Sequence, residues 1–278
     1  LGALLTRSMP CSAVCAKNGT SFHEHVLSVV LSASATTKTA HPRNISARQR
    51  QYRRTCTKLR LGCRFLERGW RVMIPKRILP TLGYGGSSAE VGVWYGHFSD
   101  IILSDWQARR GIHYLVDPYR PSPTCSTRRI DKHCTLDAHA FEDAYAKAMQ
   151  LVHRHNTALP DRKVHRRAHL MRSTSLDAAA KLPDSSLDFL YIDAAHDHHS
   201  VKLDLHAWAR KVCPGGIMGG HDFSERGVST AVHEFLNRRR HLQGLPLPPR
   251  ELFAKGTLFV TAEHPSSWFV FREPLQCS

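Results

Sequence analysis

An α/β fold built on a doubly wound, mostly parallel sheet of seven strands is predicted by three observations. From Ser88 onward, short apolar segments alternate with stretches whose apolar residues recur at helical spacing. Several of the strand-like segments end on a charged or ring-nitrogen residue, as "YLVDPY", "FLYIDAAH" and "IMGGHDF" do. The last two, "ELFAKGTLFVTA" and "SWFVFRE", follow each other without a helix, which predicts an antiparallel hairpin at the C-terminal edge.

The elements follow in order. "AEVGV" reads as a buried strand and "HFSDIILSDWQARRG" as an amphipathic helix, with Phe98, Ile101, Ile102, Leu103 and Trp106 on its apolar face and Gly111 as its stop. "IHYLVDPY" is the next strand, ending on Asp117, and completes a βαβ unit. A polar, turn-rich excursion from Pro121 to Cys134 leads into a helix with Phe141, Ala144, Tyr145, Ala148, Met149 and Val152 at helical spacing. "KVHRRAHLM" is a strand interrupted by charges, and "SLDAAAKLP" a short helix with Ser175 as its cap. "SLDFLYIDAAH" is a clear strand ending on Asp193, followed by the helix "SVKLDLHAWARKVCPGG", with Pro214-Gly215-Gly216 as its exit. "GIMGGHDF" delivers His221 and Asp222 to a strand end, and "GVSTAVHEFLNRRR" supplies the last helix.

The 278 residues carry a formal net charge of +16, distributed very unevenly. Residues 1–80 hold +13 of it and residues 81–278 only +3. A basic, Ser/Thr-rich and acid-poor front end before a nearly balanced domain reads as a targeting or disordered leader. The expected organisation is a leader over residues 1–65 and a catalytic-type domain over residues 66–278. The balanced charge of the second part argues against a nucleic-acid partner. No apolar run approaches the length of a membrane span, since the candidate from Val26 to Leu31 is interrupted by Ser28. Eight cysteines without a C-x-x-C pair read as isolated thiols of a reducing compartment. The expectation is an intracellular, soluble protein, with the leader pointing to an organelle such as a plastid or mitochondrion. Oligomeric state is not legible.

At the first strand-to-helix turn stands E-x-G-x-x-x-G, formed by Glu90, Gly92 and Gly96. Glycines there let the backbone approach a ligand without a Cβ in the way. The dinucleotide fingerprint is G-x-G-x-x-G, with a pyrophosphate on the helix N-terminus. A carboxylate in the turn would repel a pyrophosphate and suits an amino-bearing ligand. Asp117, at the end of the second strand, is placed to accept the hydroxyls of a ribose. A nucleoside that bears an amino acid and no phosphate is S-adenosylmethionine.

The segments "AEVGVWYGHFSDIIL", "YLVDPY", "RSTSLDAAAKLPDSSLDFLYIDAAHDHHSVKLDLHAWARKVCPGGIMGGHDF" and "WFVFR" resemble the class I S-adenosylmethionine-dependent methyltransferases, in particular the methyltransferase family 24 group. The resemblance spans Ser88 to Arg272 and implies a Rossmann-like methyltransferase fold. It implies backbone contacts from Gly92 and Gly96 to the cofactor's methionine part, Glu90 near its amino group, Asp117 on the ribose and Ser175 near the adenine. Asp193 falls where related O-methyltransferases carry a carboxylate that binds the cofactor or Mg²⁺, and Asp222 where metal-dependent relatives carry an acidic pair. Here the pair is His221-Asp222, and a histidine weakens the case for magnesium and leaves room for a softer divalent ion or no metal.

Methyl transfer to oxygen requires the acceptor to lose its proton, a task suited to a histidine. His196 and His221 are the candidates at the open end of the sheet. The expectation is O-methylation of a small-molecule or sugar hydroxyl, assisted by a divalent cation such as Mg²⁺. The alternative is a non-catalytic protein of the same fold that binds RNA or a protein partner through its basic front end.

Overall fold

Alignment of strand ends governs the architecture. The protein, seen in a computed structural model, is described over residues 26, 28–30, 63–66, 69–106, 111–122, 132–157, 167–236, 253 and 257–273. Most of the expected leader, the middle of the excursion after Pro121 and the "RRRH" at 238–241 lie outside the described residues.

The chain enters the sheet with β1 (Cys63–Leu66), passes through α1 (Trp70–Met73), and continues through a π-helical turn at Ile74–Ile78. Then come β2 (Ser87–Val91), α2 (His97–Asp105), β3 (His113–Asp117), α3 (Ala138–Thr157), β4 (Ala168–Arg172), α4 (Ser175–Lys181) and β5 (Leu187–Ile192). The chain closes with α5 (His198–Trp208), β6 (Val212–Gly220), α6 (Arg226–Leu236), β7 (Leu258–Thr261) and β8 (Trp268–Phe271). The seven expected strands are all present, in the order β7-β8-β6-β5-β2-β3-β4, and an eighth, β1, pairs with β7 in parallel outside them. Only β8 runs antiparallel to its neighbours, so the β7–β8 hairpin is covered on its outer side by β1.

Local chemistry explains several boundaries. Helix α2 starts on Gly96 in the left-handed region and stops at Trp106, which turns extended, before the expected stop at Gly111. Helix α4 is capped by Thr174, whose side chain accepts from the Asp177 amide, and not by Ser175. Pro214-Gly215 is not a helix exit. It lies inside the nine-residue β6, where the pairing register with β5 shifts and Gly215 takes φ 78°. Cys134 and Cys213 each take part in a disulfide, which corrects the reading of isolated thiols. Disulfides persist in oxidising compartments, so cysteine usage no longer argues for a reducing one.

Helices cover both faces. On one, Val201, Leu205 and Trp208 of α5 and Val228 and Val232 of α6 pack against β5, β6 and β7. On the other, Phe98 and Ile102 of α2 meet Ile74 and Ile78, Tyr191 of β5 and Phe269 of β8. Val26, Val29, Val30 and Leu66 are buried in this second cluster, so part of the basic front end contributes to the core. Every residue of β5 is buried, including Asp188, whose carboxylate is satisfied by the amides of Gly85 (3.2 Å) and Gly86 (2.8 Å).

In the parallel ladders, Val91 of β2 faces Val116 of β3 and Ile192 of β5, and Ile192 faces Gly220 of β6. The next residue of each strand therefore emerges at one edge: Gly92, Asp117, Asp193 and His221. Gly92 takes φ +87°, and a Cβ there would overlap the Asp193 backbone. Gly92→Ala meets both an unfavourable φ and a backbone clash, so it should lower unfolding free energy by about 3 kcal/mol in urea denaturation.

Candidate active site

Three residues of the turn after β2 occupy the left-handed region: Gly92 (φ 87°), Trp94 (φ 51°) and Gly96 (φ 82°). For tryptophan this conformation is unfavourable, and it persists only where surrounding contacts impose it. Asp117 is one such contact. Its Oδ2 accepts from the amides of Val93 (3.0 Å) and Trp94 (2.9 Å), and its Oδ1 from the Tyr119 amide (2.7 Å). The carboxylate expected to meet a ribose thus also shapes the turn beside it. The Trp94 ring stands edge-on to Phe141 at 5.6 Å and tilted against Tyr95 at 5.0 Å.

Glu90 points into the fold. It is 2% exposed and accepts a short hydrogen bond from Ser99 Oγ. Ser99 Oγ also lies 2.9 Å from Nε2 of His113, whose Nδ1 is 2.8 Å from Ser88 Oγ. Burial raises the Glu90 pKa to about 8, against the opposing effects of the Ser99 hydrogen bond and the Arg71 charge. Burial likewise lowers His113 to about 3, so the chain of groups is neutral near pH 7. Glu90 is therefore uncharged below its raised pKa, unlike the ionised carboxylate that the sequence reading placed in this turn.

At the ends of β5 and β6 the structure brings together Asp193, His196, His221 and Asp222. His196 Nε2 is 3.0 Å from Asp222 Oδ2, and His221 Nδ1 lies 3.2 Å from Asp222 Oδ2 and 3.5 Å from Asp193 Oδ1. Burial disfavours charge on His221, but its hydrogen bonds to Asp193 and Asp222 prevail and raise its pKa to about 9. Burial also opposes the charge on Asp222, and the bonds to His196 and His221 overcome it, holding the carboxyl well below the usual range. Asp193, His196 and Asp222 each present one ligand atom, all within 4.8 Å of one another. Two carboxylate oxygens and one imidazole nitrogen make a donor set that fits a first-row divalent ion.

Ser175 stands apart from this group. Its Oγ donates to Asp204 and receives the Trp208 indole N–H at 2.9 Å, tying α4 to α5. Arg71 was not foreseen. Its Nη2 donates to Asp193 Oδ2 at 2.9 Å, and its guanidinium carbon lies 4.5 Å from the Phe98 ring centre and 5.1 Å from that of Tyr191. Nothing in "RGWRVMIPKR" marks one basic residue among the many of the front end.

Residues 89–223 match the model of a family described as a methyltransferase domain. An uncharacterized protein y4gI of Sinorhizobium fredii is 32% identical over 68 residues, which are 24% of this chain and 8% of that protein. The chain thus spans less than a tenth of the length of that curated relative. Among solved structures, a protein of Corynebacterium glutamicum is 14% identical, covering 92% of this chain and 99% of its own, with a TM-score of 0.49. A methyltransferase from Geobacter sulfurreducens is 12% identical, covering 87% and 95%, with a TM-score of 0.46. The O-methyltransferase from Bacillus cereus is 15% identical, covering 93% and 92%, with a TM-score of 0.42.

The raised pKa of Glu90 has a defined sign in stability. Unfolded, the carboxyl ionises near its ordinary value of 4.5, and folded near about 8, so between these values the unfolded state binds fewer protons and stability falls as pH rises. Glu90→Gln removes this loss. Its thermal midpoint relative to wild type should therefore climb from pH 5 to pH 8. His221, which loses stability in the same direction from pH 6.5 to about 9, is present in both proteins. A constant difference across that range would mean that Glu90 is ionised in the fold.

Proposed function

We propose that residues 89–223, which match a methyltransferase-domain family model, form a class I S-adenosylmethionine-dependent methyltransferase domain, and that the protein methylates a hydroxyl of a small-molecule or sugar acceptor with the assistance of a divalent ion. The observation that carries this reading is the convergence of the glycine turn, Asp117 and an acid–histidine cluster on one edge of the sheet.

The residues present suit the cofactor. The turn from Gly92 to Gly96 lies at the strand ends, its glycines required by positive φ and by the close approach of Asp193 and Leu151, and beside it Asp117 offers an acceptor-only carboxylate at the strand end where a ribose is held in nucleotide-binding sheets. Gly92, Gly96, Asp117 and Asp193 are assigned to the cofactor. Glu90 and Ser175 support from behind, Glu90 under the turn through Ser99 and Ser175 through α5. The bound cofactor supplies an electrophilic methyl group on a sulfonium.

An acceptor hydroxyl attacks well only as its proton leaves, and the edge is equipped for that transfer. His196 and His221 are both hydrogen bonded to Asp222, which orients their rings, and His221, with its pKa raised to about 9, is a cation near neutral pH and takes up a proton only above that range. Asp193, His196 and Asp222 would hold a divalent ion, which lowers the pKa of a bound hydroxyl. This equipment for deprotonation is what favours oxygen as the acceptor atom.

Calorimetric titration with S-adenosylmethionine tests the reading. Wild type should bind, and Asp117→Ala should weaken binding by about tenfold or more, equivalent to about 1.4 kcal/mol. A folded wild type that does not bind would overturn the enzyme reading and leave a fold used for partner binding. With acceptor identified by methyl release from labelled cofactor, a chelator should depress turnover and Mn²⁺ should restore it. Turnover indifferent to chelator would remove the ion from the mechanism.

A further inference from the structure

Arg71 enters the site from α1, outside the residues matched by the family model. Its surroundings are built in detail. The backbone N–H of Arg71 reaches Glu263 Oε1 (3.4 Å) in the turn between β7 and β8, the guanidinium lies against the rings of Phe98 on α2 and Tyr191 on β5, and Nη2 bonds Asp193 Oδ2. Nε is buried with no hydrogen-bond partner among the described residues. Such a polar group is costly to bury, so the ring stacking and the Asp193 bond together hold the side chain in place.

The consequence falls on Asp193. Of its two carboxylate oxygens, Oδ2 is taken by Arg71 and Oδ1 faces His221. Asp193 is also one of the three residues assigned above to a divalent ion. A guanidinium and a dication on the same carboxylate repel each other strongly in a partly buried site. We propose that Arg71 is a built-in cation that competes with a divalent ion for Asp193 and so sets the metal affinity of the site. The inference rests on the donor set of the proposed function. It makes Arg71 a positioning residue, acting through Asp193 and outside the steps of methyl transfer.

The test is Mn²⁺ binding to the full chain, followed by the electron paramagnetic resonance signal of free Mn²⁺, with no turnover involved. Arg71→Met keeps an unbranched side chain against the two rings and removes the charge. Arg71→Gln is a second neutral variant, carried alongside so that a folding failure of one leaves the comparison intact, and Arg71→Lys keeps the charge. The neutral variants should bind Mn²⁺ about tenfold or more tightly than wild type, and Arg71→Lys should stay within about threefold of it. A merely structural arginine would shift none of these affinities upward. Unchanged or weaker Mn²⁺ binding in the folded neutral variants overturns the proposal, as does absence of Mn²⁺ binding in all four proteins. S-adenosylhomocysteine binding, measured on the same preparations, keeps the two readings separate. Its retention with unchanged Mn²⁺ affinity removes only the role of Arg71, whereas its absence in wild type removes the methyltransferase reading itself.

Discussion

The close backbone approach of β2 to β5 is the constraint on which the site depends. The Asp193 amide donates to the Val91 carbonyl at 2.7 Å, and the Gly92 amide to the Val116 carbonyl at 2.8 Å. These two bonds join the ends of three strands where the chain leaves the sheet. They leave no space for a side chain at position 92, which is why a glycine with positive φ stands there. Because the strands are parallel and in register, the residue after each one emerges on the same side. Asp117, Asp193 and His221 become neighbours of the glycine turn through the ladder, without any feature of their own side chains.

Burial then sets the charge state of each group. Glu90, two residues before Gly92, is enclosed and held neutral by the cost of an ionised carboxyl in the core. Asp193 and Asp222, at the rim, keep company with Arg71 and two histidines, so negative charge is matched where it is expressed. A difference of a few residues along one edge thus separates a neutral interior chain of hydroxyl, imidazole and carboxyl from a charged cluster in contact with the exterior.

Much of this was legible in the sequence, and the reasons for the exceptions are physical. Helical and strand periodicity and the polar residues at strand ends located β2 to β8 and gathered Asp193, His196, His221 and Asp222, since periodicity reports which face is buried. It does not report which oxygen or nitrogen meets which. The sequence pattern therefore left Glu90 as a charged residue of the turn, when Ser99 engages it from below and His113 in turn engages Ser99. Likewise Ser175 was read as a cap, but its hydroxyl is used by Asp204 and Trp208, almost thirty residues or more away. Short segments such as Cys63–Leu66 have too few residues for a period, and β1 is recognised only by its partner β7. Arg71 belongs to the same class of information, because a guanidinium is selected by the rings and carboxylate around it and those come from α2 and β5.

The place of β1 bears on how the chain can be trimmed. The front of the sequence is basic and acid-poor. Yet β1 lies outside β7 and satisfies that strand's outward N–H and C=O groups. A cleavage beyond Cys63 would bare a strand edge able to pair with another copy, and one beyond Arg71 would also release Asp193 from its ion pair. The covered edge of β7 and the ion pair on Asp193 thus both depend on the short stretch from Cys63 to Arg71.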